Sequence, residues 1–434
     1  MSLSQTLSNR RAVVPLAALS LALVASACSS SSGPSASAGG NLVIADVQPF
    51  SGPDAAFGPE QNSGCLTAVK LINAGGGVLG HKLACQIVDT RGDPVDAVPA
   101  VQKLIALTTN LVGAVGPSSD EASATTPLLE AAHIPMFSNT GQSEYDHQVS
   151  PYFYRILAAD DAGGYAFAAY AAKAGYTRVA AIFGDTISSQ ANVPTVIAGL
   201  KHLGIKLVLD QKLTQDQSSY LSEAAQLKAA KPQAVITETD PQTFATYLAD
   251  LKQLSGGSIL PFIGPIPTPQ PVWYSAITKA IGKSAYAQYY RSVHQQTSSG
   301  GPAFSVWQHT LLGLTIPNPK QWLNDPYAQA PYDGANLIAL AILAAHSTQP
   351  TVFNKYITRI ANAGAGKVTV HSFAAGKAAL AAGHQIHYAG LSDIFFNKYN
   401  NSTSGFVATK LGPGNSEQQV ALLTATDLAK ASGG

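Results

Sequence analysis

The residues of this chain that could do chemistry lie in polar loops that directly follow apolar runs. The runs have the length of β-strands and alternate with helical patterns, which predicts a parallel sheet. In such a sheet, the loops at the carboxyl ends of the strands bind ligands. Their Ser, Thr, Asp and amide side chains suit hydrogen bonding to a small polar molecule. The loops in question are Gln48–Gly58, Pro117–Glu121, Ser138–Glu144, Asp185–Gln190 and Thr239–Thr243.

Motifs for catalysis, cofactors and metals are missing or incomplete. The sequence has no G-x-S-x-G, no H-E-x-x-H and no G-x-G-x-x-G after its first apolar run. Residues 364–367 lack the leading glycine and the Ser/Thr of a phosphate loop, and His384 and His387 have no evident third metal ligand. Cys65 has no identifiable base to activate it. We expect no enzyme activity, no cofactor and no metal, although a fold alone never excludes an enzyme.

The stretch Leu42–Pro94 best defines the elements that position these loops. The apolar run LVIADV is followed by a loop rich in Gly, Pro, Ser and Asp. A helix that stops at three glycines and a second apolar run complete a βαβ unit. The alternation continues to about residue 157 and then restarts, which predicts two lobes with a doubly wound sheet each. Residues 265–330 are rich in proline, hold all three tryptophans and have an irregular pattern.

The chain resembles the leucine/isoleucine/valine-binding proteins, which are the solute-binding components of ABC importers. The motifs that carry this resemblance, in family order, are SGPDAAFG, INAGGGVLG, DTRGDP, GAVGPSSDEAS, IPMFSNT, YFYRILAADD, RVAAIFGD, APYDGANLIALAIL and YAGLSDIFFN. The resemblance implies an α/β, type I periplasmic-binding-protein fold with two doubly wound, Rossmann-like lobes joined by three crossover segments. Lobe I would comprise residues 41–157 and 264–388, and lobe II residues 158–263 and 389–434. The ligand would lie between the lobes, which close by a hinge.

The resemblance also implies ligand-binding positions in lobe I. Phe57 stands where an aromatic residue of the family covers the ligand. Asp120 stands where a serine of the family contacts the ligand, and Ser118 and Ser119 lie beside it. The next loop supplies backbone and hydroxyl contacts in the family, and the residues expected to do so here are Thr140, Gly141 and Gln142.

Lobe II departs from the family pattern. Ser188 and Asp240 stand where tyrosines are expected, and Ile266 replaces the acid that holds the ligand's ammonium group in amino-acid binders. Two carboxylates, Asp120 and Asp240, would then face one cleft. Ionised carboxylates only accept hydrogen bonds, so they favour a ligand rich in hydroxyl or amine donors. In the alternative alignment, the neighbouring Glu238 or Thr239 restores an amino-acid site.

The N-terminal residues have the pattern of an export signal. Arg10 and Arg11 precede an apolar run too short to span a bilayer comfortably, so residues 1–27 are interpreted as a signal peptide. Ala25–Cys28 resembles a bacterial lipobox, which implies lipidation of Cys28. Residues 28–40, rich in Ser, Gly and Ala, would form a flexible tether. The alternatives are an ordinary signal cleaved near the A-x-A site and a twin-arginine signal.

Composition limits the partners. Asp, Glu, Lys and Arg make up only 12% of the 434 residues, and removing the signal peptide changes the net charge from +1 to −1. No basic patch suggests a nucleic-acid partner. The expected partners are a small-molecule ligand, ABC permease subunits and, through the lipid anchor only, the outer face of the bacterial cell membrane. We expect a monomer; the alternative function is a ligand-sensing receptor module of the same fold.

Two cysteines remain besides Cys28. Cys65 lies on the apolar face of the first helix and Cys85 on the returning strand, at similar heights within one βαβ unit. In an extracytoplasmic compartment, such a pair forms a stable disulfide. The alternative is two buried free thiols.

Overall fold

The structure is a computed structural model that describes residues 40–392, 394–402 and 405–433. The expected signal peptide, Cys28 and nearly all of the expected tether lie outside these ranges. Among the helices within them, none is both long enough and apolar enough to cross a membrane.

The first lobe begins with alternating strands and helices built on a parallel sheet. The sheet has the strand order β2-β1-β3-β4-β5. Asp93 accepts a hydrogen bond from the backbone N–H of Val95 and, with Pro94 after it, starts the second helix. The elements are β1 (Leu42–Gln48), α1 (Phe57–Ala74), β2 (Leu83–Asp89), α2 (Pro94–Leu107), β3 (Leu111–Val115), α3 (Ser119–Ala131), β4 (Met136–Ser138) and β5 (Phe153–Arg155).

The chain then enters a second lobe with the same alternation. Its strands are apolar and its helices pack on both faces of the new sheet. The elements are α4 (Asp160–Lys173), β6 (Arg178–Gly184), α5 (Ile187–Ala191), α6 (Val193–His202), β7 (Lys206–Leu213), α7 (Leu221–Ala230), β8 (Ala234–Glu238), α8 (Pro241–Leu254), β9 (Phe262–Gly264), α9 (Pro271–Ile281), α10 (Lys283–Tyr289) and β10 (Tyr290–Gln295).

The remaining chain returns to the first lobe and then completes the second. The first of these segments comprises α11 (Gly301–Leu312), α12 (Pro326–Ala345), α13 (Pro350–Ala361), β11 (Val368–Val370), α14 (Phe373–Ala381) and β12 (Ile386–Tyr388). The last comprises β13 (Phe406–Leu411), β14 (Glu417–Leu423) and α15 (Ala425–Ser432). Strands β13 and β14 extend the second sheet antiparallel, giving the order β14-β13-β10-β9-β8-β6-β7.

The type I fold predicted from the sequence is confirmed, but one expected lobe boundary differs. Residues 264–295 were expected in lobe I, whereas β10 pairs with β9 and β13 in the second sheet. The aromatic side chains of Trp273, Tyr286 and Tyr290 pack in the same cluster as Phe244, in the second lobe. Their burial decides the placement, because the proline-rich pattern gave no periodicity from which to predict α9, α10 and β10. The second crossover therefore follows Gln295.

Cys65 and Cys85 are joined in a disulfide, with their Cα atoms 6.2 Å apart. Cys65 is fully buried in the first lobe's core, between α1 and the sheet. The sequence left two alternatives, a disulfide and two buried free thiols, and the structure shows the disulfide. The bridge links α1, the helix that follows the first polar loop, to β2.

Candidate functional site

A cavity of about 90 Å³ lies where the carboxyl ends of the two parallel sheets meet. Most wall residues follow or end a strand, or begin a helix, so the sheet edge positions the site. The first lobe contributes Pro49, Asp54, Phe57, Gln61, Ser118, Ser119, Asp120, Asn139 and Tyr327. The second contributes Asp160, Ser188, Glu238 and Ile266.

The first loop of the cavity wall is fastened to the neighbouring strand by Asp89. This carboxylate ends β2 and accepts hydrogen bonds from the backbone N–H groups of Phe50 and Ser51, at 2.9 and 3.1 Å, and from the Ser51 hydroxyl at 2.6 Å. Burial opposes ionisation, but these donors outweigh it and lower the pKa of Asp89. The fastening brings Asp54 and Phe57 to the cavity.

The start of α3 is held by a buried glutamate. The Glu121 carboxylate accepts from the Ser118 hydroxyl at 2.7 Å, from the Ser118 backbone N–H at 3.1 Å and from the Thr90 hydroxyl at 3.1 Å. Burial still raises the pKa of Glu121 to about 7. Because Glu121 points inward to the strand ends, its neighbour Asp120 points across the cleft.

Asp120 meets the second lobe directly. Its carboxylate accepts a hydrogen bond from the backbone N–H of Ser188 at 2.8 Å and from the Ser188 hydroxyl at 3.2 Å. Both residues line the cavity. The contact closes the lobes over the site, so in this state Asp120 serves the interface between the lobes as well as the cavity wall.

The loop after β4 departs from the sequence expectation, because Thr140, Gly141 and Gln142 do not border the cavity. The Thr140 hydroxyl donates to the Gln142 side chain at 3.3 Å and accepts from the Gln142 backbone N–H at 3.3 Å. Thr140 and Gln142 therefore hydrogen-bond to each other and stabilise their own loop. Gly141 has another structural role: a Cβ at this position would lie 1.9 Å from Asp160 Oδ1. The cavity residue of this loop is Asn139.

Asp240 also has a structural role instead of a place in the cavity wall. It caps α8, where Oδ1 accepts from the backbone N–H groups of Gln242 at 3.0 Å and Thr243 at 2.8 Å. The second-lobe acid in the wall is Glu238, the last residue of β8, which accepts from Asn192 Nδ2 at 2.5 Å. The alternative alignment onto Glu238 thus names the second-lobe carboxylate that borders the cavity.

The cavity is strongly acidic. Asp54, Asp120, Asp160 and Glu238 are carboxylates, and none of the described lining residues is Lys, Arg or His. Burial, followed by repulsion from Asp120 and other carboxylates, raises the pKa of Asp54 to about 8. Burial also raises the pKa of Asp160 to about 7, against the lowering effect of Arg155, and raises that of Glu238 well above its usual value.

Sequence reasoning found some of these residues and missed others. Phe57, Ser118, Ser119, Asp120 and Ser188 were expected at the site and line the cavity. The missed residues that define its chemistry are Asp54, Gln61, Asn139, Asp160 and Tyr327. Asp54 lies within a loop chosen by position, which was a usable signal. No local signal was available for Tyr327, which lies near the end of the irregular proline-rich stretch.

Comparison with known proteins shows which family this chain belongs to. Residues 42–303, more than half of the chain, match the family model described as "Periplasmic binding protein". A Leu/Ile/Val-binding protein homolog 7 from Brucella abortus is 40% identical over 106 residues, which are 24% of this chain and 25% of that protein. The alignments with the first curated relatives span a quarter or less of those relatives' lengths.

Solved structures agree over nearly the whole chain. The leucine binding protein LivK from Thermotoga maritima has a TM-score of 0.69 at 15% identity, covering 89% of this chain and 99% of LivK. A solute binding protein of an ABC transporter from R. palustris, in complex with benzoate, has a TM-score of 0.68 at 17% identity, covering 88% and 96%. At these identities the likeness concerns the fold alone. Together with the family match, it establishes that this chain belongs to the periplasmic binding protein family.

Proposed function

We propose that this protein is the solute-binding component of an ABC importer of the branched-chain amino-acid type. It captures a small polar solute between its lobes and presents the closed form to permease subunits, without chemical turnover. The observation that carries the proposal is the Asp120–Ser188 contact between the lobes beside a polar cavity. Family membership supports it, because the similar structures include transporter solute-binding proteins in complex with benzoate and with isoleucine.

Within this proposal, the ligand contacts are a subset of the residues expected from the sequence. Phe57, Ser118, Ser119, Asp120 and Ser188 border the cavity and are assigned to the ligand. Thr140, Gly141, Gln142 and Asp240 are assigned to the scaffold. The ligand is rich in hydrogen-bond donors, because the wall presents mainly carboxylate and amide oxygens.

The proposal places the protein outside the cytoplasm as a monomeric lipoprotein anchored through Cys28. The sequence pattern around Ala25–Cys28 and the tether that follows support this assignment. The anchor would keep the binding lobes close to the permease.

Mass spectrometry of small molecules released from the purified, denatured protein tests the capture of a solute. Uptake of the released compound should fall in cells that lack the protein and return on complementation. Unchanged uptake in the deletion strain would contradict the transport role, even if the compound binds.

A further inference from the structure

The starting observation is an imbalance of charge in the cleft. Four described lining residues are carboxylates, and no basic side chain of the described wall faces them. The buried basic residue nearby, Arg155, forms an ion pair with Asp146 and donates to the backbone oxygens of two loop residues at 3.1 and 3.2 Å. Like charges in a poorly solvated site repel each other unless the carboxyl groups take up protons or a cation lies between them. A cationic ligand would therefore be favoured in this cleft over a neutral or anionic one.

An unpartnered amide gives a second, independent indication. Gln61 lies on α1, is only 1% exposed and borders the cavity. Within the described part of the chain, neither its Nε2 nor its Oε1 has a hydrogen-bond partner. Buried amides are normally hydrogen-bonded, so a free one in a cavity wall points to a missing ligand. Its oxygen can accept a hydrogen bond from an ammonium group.

Two aromatic rings complete the wall. Phe57 and Tyr327 have ring centroids 6.1 Å apart and planes inclined by 53°. Aromatic faces attract organic cations through the ring quadrupole, and the attraction is larger where water is excluded. Carboxylates together with tilted aromatic rings fit an organic ammonium group.

Two serines that could hold a ligand carboxylate are already engaged. The Ser118 hydroxyl and backbone N–H donate to Glu121, and the corresponding groups of Ser188 donate to Asp120. Ile266 adds an apolar surface where the family has an acid. An anionic group would therefore enter an acidic site in which these two serines offer no free donor.

From this arrangement we infer that the cleft binds an organic ammonium solute that carries no carboxylate. The inference rests on the proposed function and specifies the solute class of that same cleft. The ammonium group lies among Asp54, Asp120 and Glu238, against the faces of Phe57 and Tyr327.

A second cavity agrees with an organic cation. It has a volume of about 70 Å³, shares Asp160, Glu238 and Tyr327 with the first cavity and includes the apolar side chains of Phe167 and Val293 in its wall. It offers space for an apolar part of the solute.

Calorimetry with the purified full-length protein tests the inference. The cationic probes are 1,4-diaminobutane, benzylamine and tetramethylammonium, and the comparison compounds are leucine, benzoate, glucitol and Ca²⁺. The variants are Asp54→Asn and Glu238→Gln, each of which removes one cleft charge. Glu144→Gln, which removes an exposed charge of the same lobe as Asp54, is the matched control. Circular dichroism melts verify that each variant folds.

We expect at least one cationic probe to bind, with an affinity that falls at least tenfold in both cleft variants and less than twofold in the control. The affinity should also fall with rising salt concentration. Binding of leucine, benzoate or glucitol without any cationic probe would overturn the ammonium class and leave solute capture intact. Binding of Ca²⁺ alone, or of no cationic probe, would also overturn it. A cation that binds but is not imported would instead contradict the transport role.

Discussion

The backbone N–H of Ser188, in the second lobe, donates a 2.8 Å hydrogen bond to Asp120 Oδ1, in the first lobe. The Ser188 hydroxyl adds a 3.2 Å bond to the other carboxylate oxygen. One carboxylate thus joins the lobes at the mouth of the cavity. Hydrogen bonds to charged groups contribute about 1.5–3 kcal/mol, so this contact weights the equilibrium toward the closed form.

We expect Asp120→Ala to shift the lobes toward an open form and to reduce the ratio of closed to open molecules about tenfold, because 1.4 kcal/mol corresponds to a factor of about ten in an equilibrium constant. Small-angle scattering should show a larger radius of gyration. Ser188→Ala is the matched control, since it keeps the 2.8 Å backbone bond and loses only the longer one. Equal radii of gyration for Asp120→Ala and the parent protein would show that the contact does not hold the lobes.

The disulfide should stabilise the first lobe. Cys65 and Cys85 are 20 residues apart, and closing a loop of that size stabilises by roughly 3 kcal/mol in the chain-entropy model. Urea unfolding with and without reductant should show this difference. The double variant Cys65→Ala/Cys85→Ala should be insensitive to reductant. A parent protein equally insensitive to reductant would contradict the prediction.

The ligand-free protein should lose stability as the pH rises from about 4 to about 8. The folded-state pKa of Asp54, about 8, exceeds the unfolded value of about 3.9, so the folded state binds more protons between these values. The stabilising contribution is complete below the unfolded pKa and is lost as the pH rises through about 8. Asp160 and Glu121, with pKa values of about 7, act in the same direction.

Asp54→Asn should flatten this pH dependence. The carboxylates that raise the pKa of Asp54 are Asp120, Asp240 and Glu121, and the variant removes its repulsion with all three. Because Asp54 is only half-buried, we expect a gain in unfolding free energy on the order of 1 kcal/mol at pH 9 and none below about pH 4. Thermal melts at several pH values measure it, with the exposed Asp210→Asn as control. If Asp54→Asn changed the unfolding free energy equally at every pH, ionisation of Asp54 would be excluded as the cause of the pH dependence.

Cys28→Ser should release the protein from the membrane fraction. The lipobox-like sequence Ala25–Cys28 and the Ser-rich residues that follow it motivate this prediction. Fractionation followed by immunoblotting measures the shift, and the conservative change leaves the tether intact. A mature N-terminus that is an unmodified residue other than Cys28 would disprove the anchor.

The order of strands, helices and loops was readable from the sequence. Strand-length apolar runs, the helix start at Asp93–Pro94 and the polar loops follow local rules of backbone geometry and hydrogen bonding. These rules, with the ordered motifs, were enough to predict the type I fold. They also selected the loops that contain Phe57, Asp120 and Ser188, because position at a strand's carboxyl end is itself a local property.

Only the tertiary structure decided which side chains share the cavity. Asp160, Glu238 and Tyr327 lie far apart in the chain, and they meet because the two lobes close upon each other. The same packing commits Thr140 and Gln142 to their own loop and Asp240 to the cap of α8. It also places Trp273 and Tyr290 in the second lobe, through aromatic burial. These outcomes depend on contacts between distant segments, and the spacing of residues along the chain does not encode such distances.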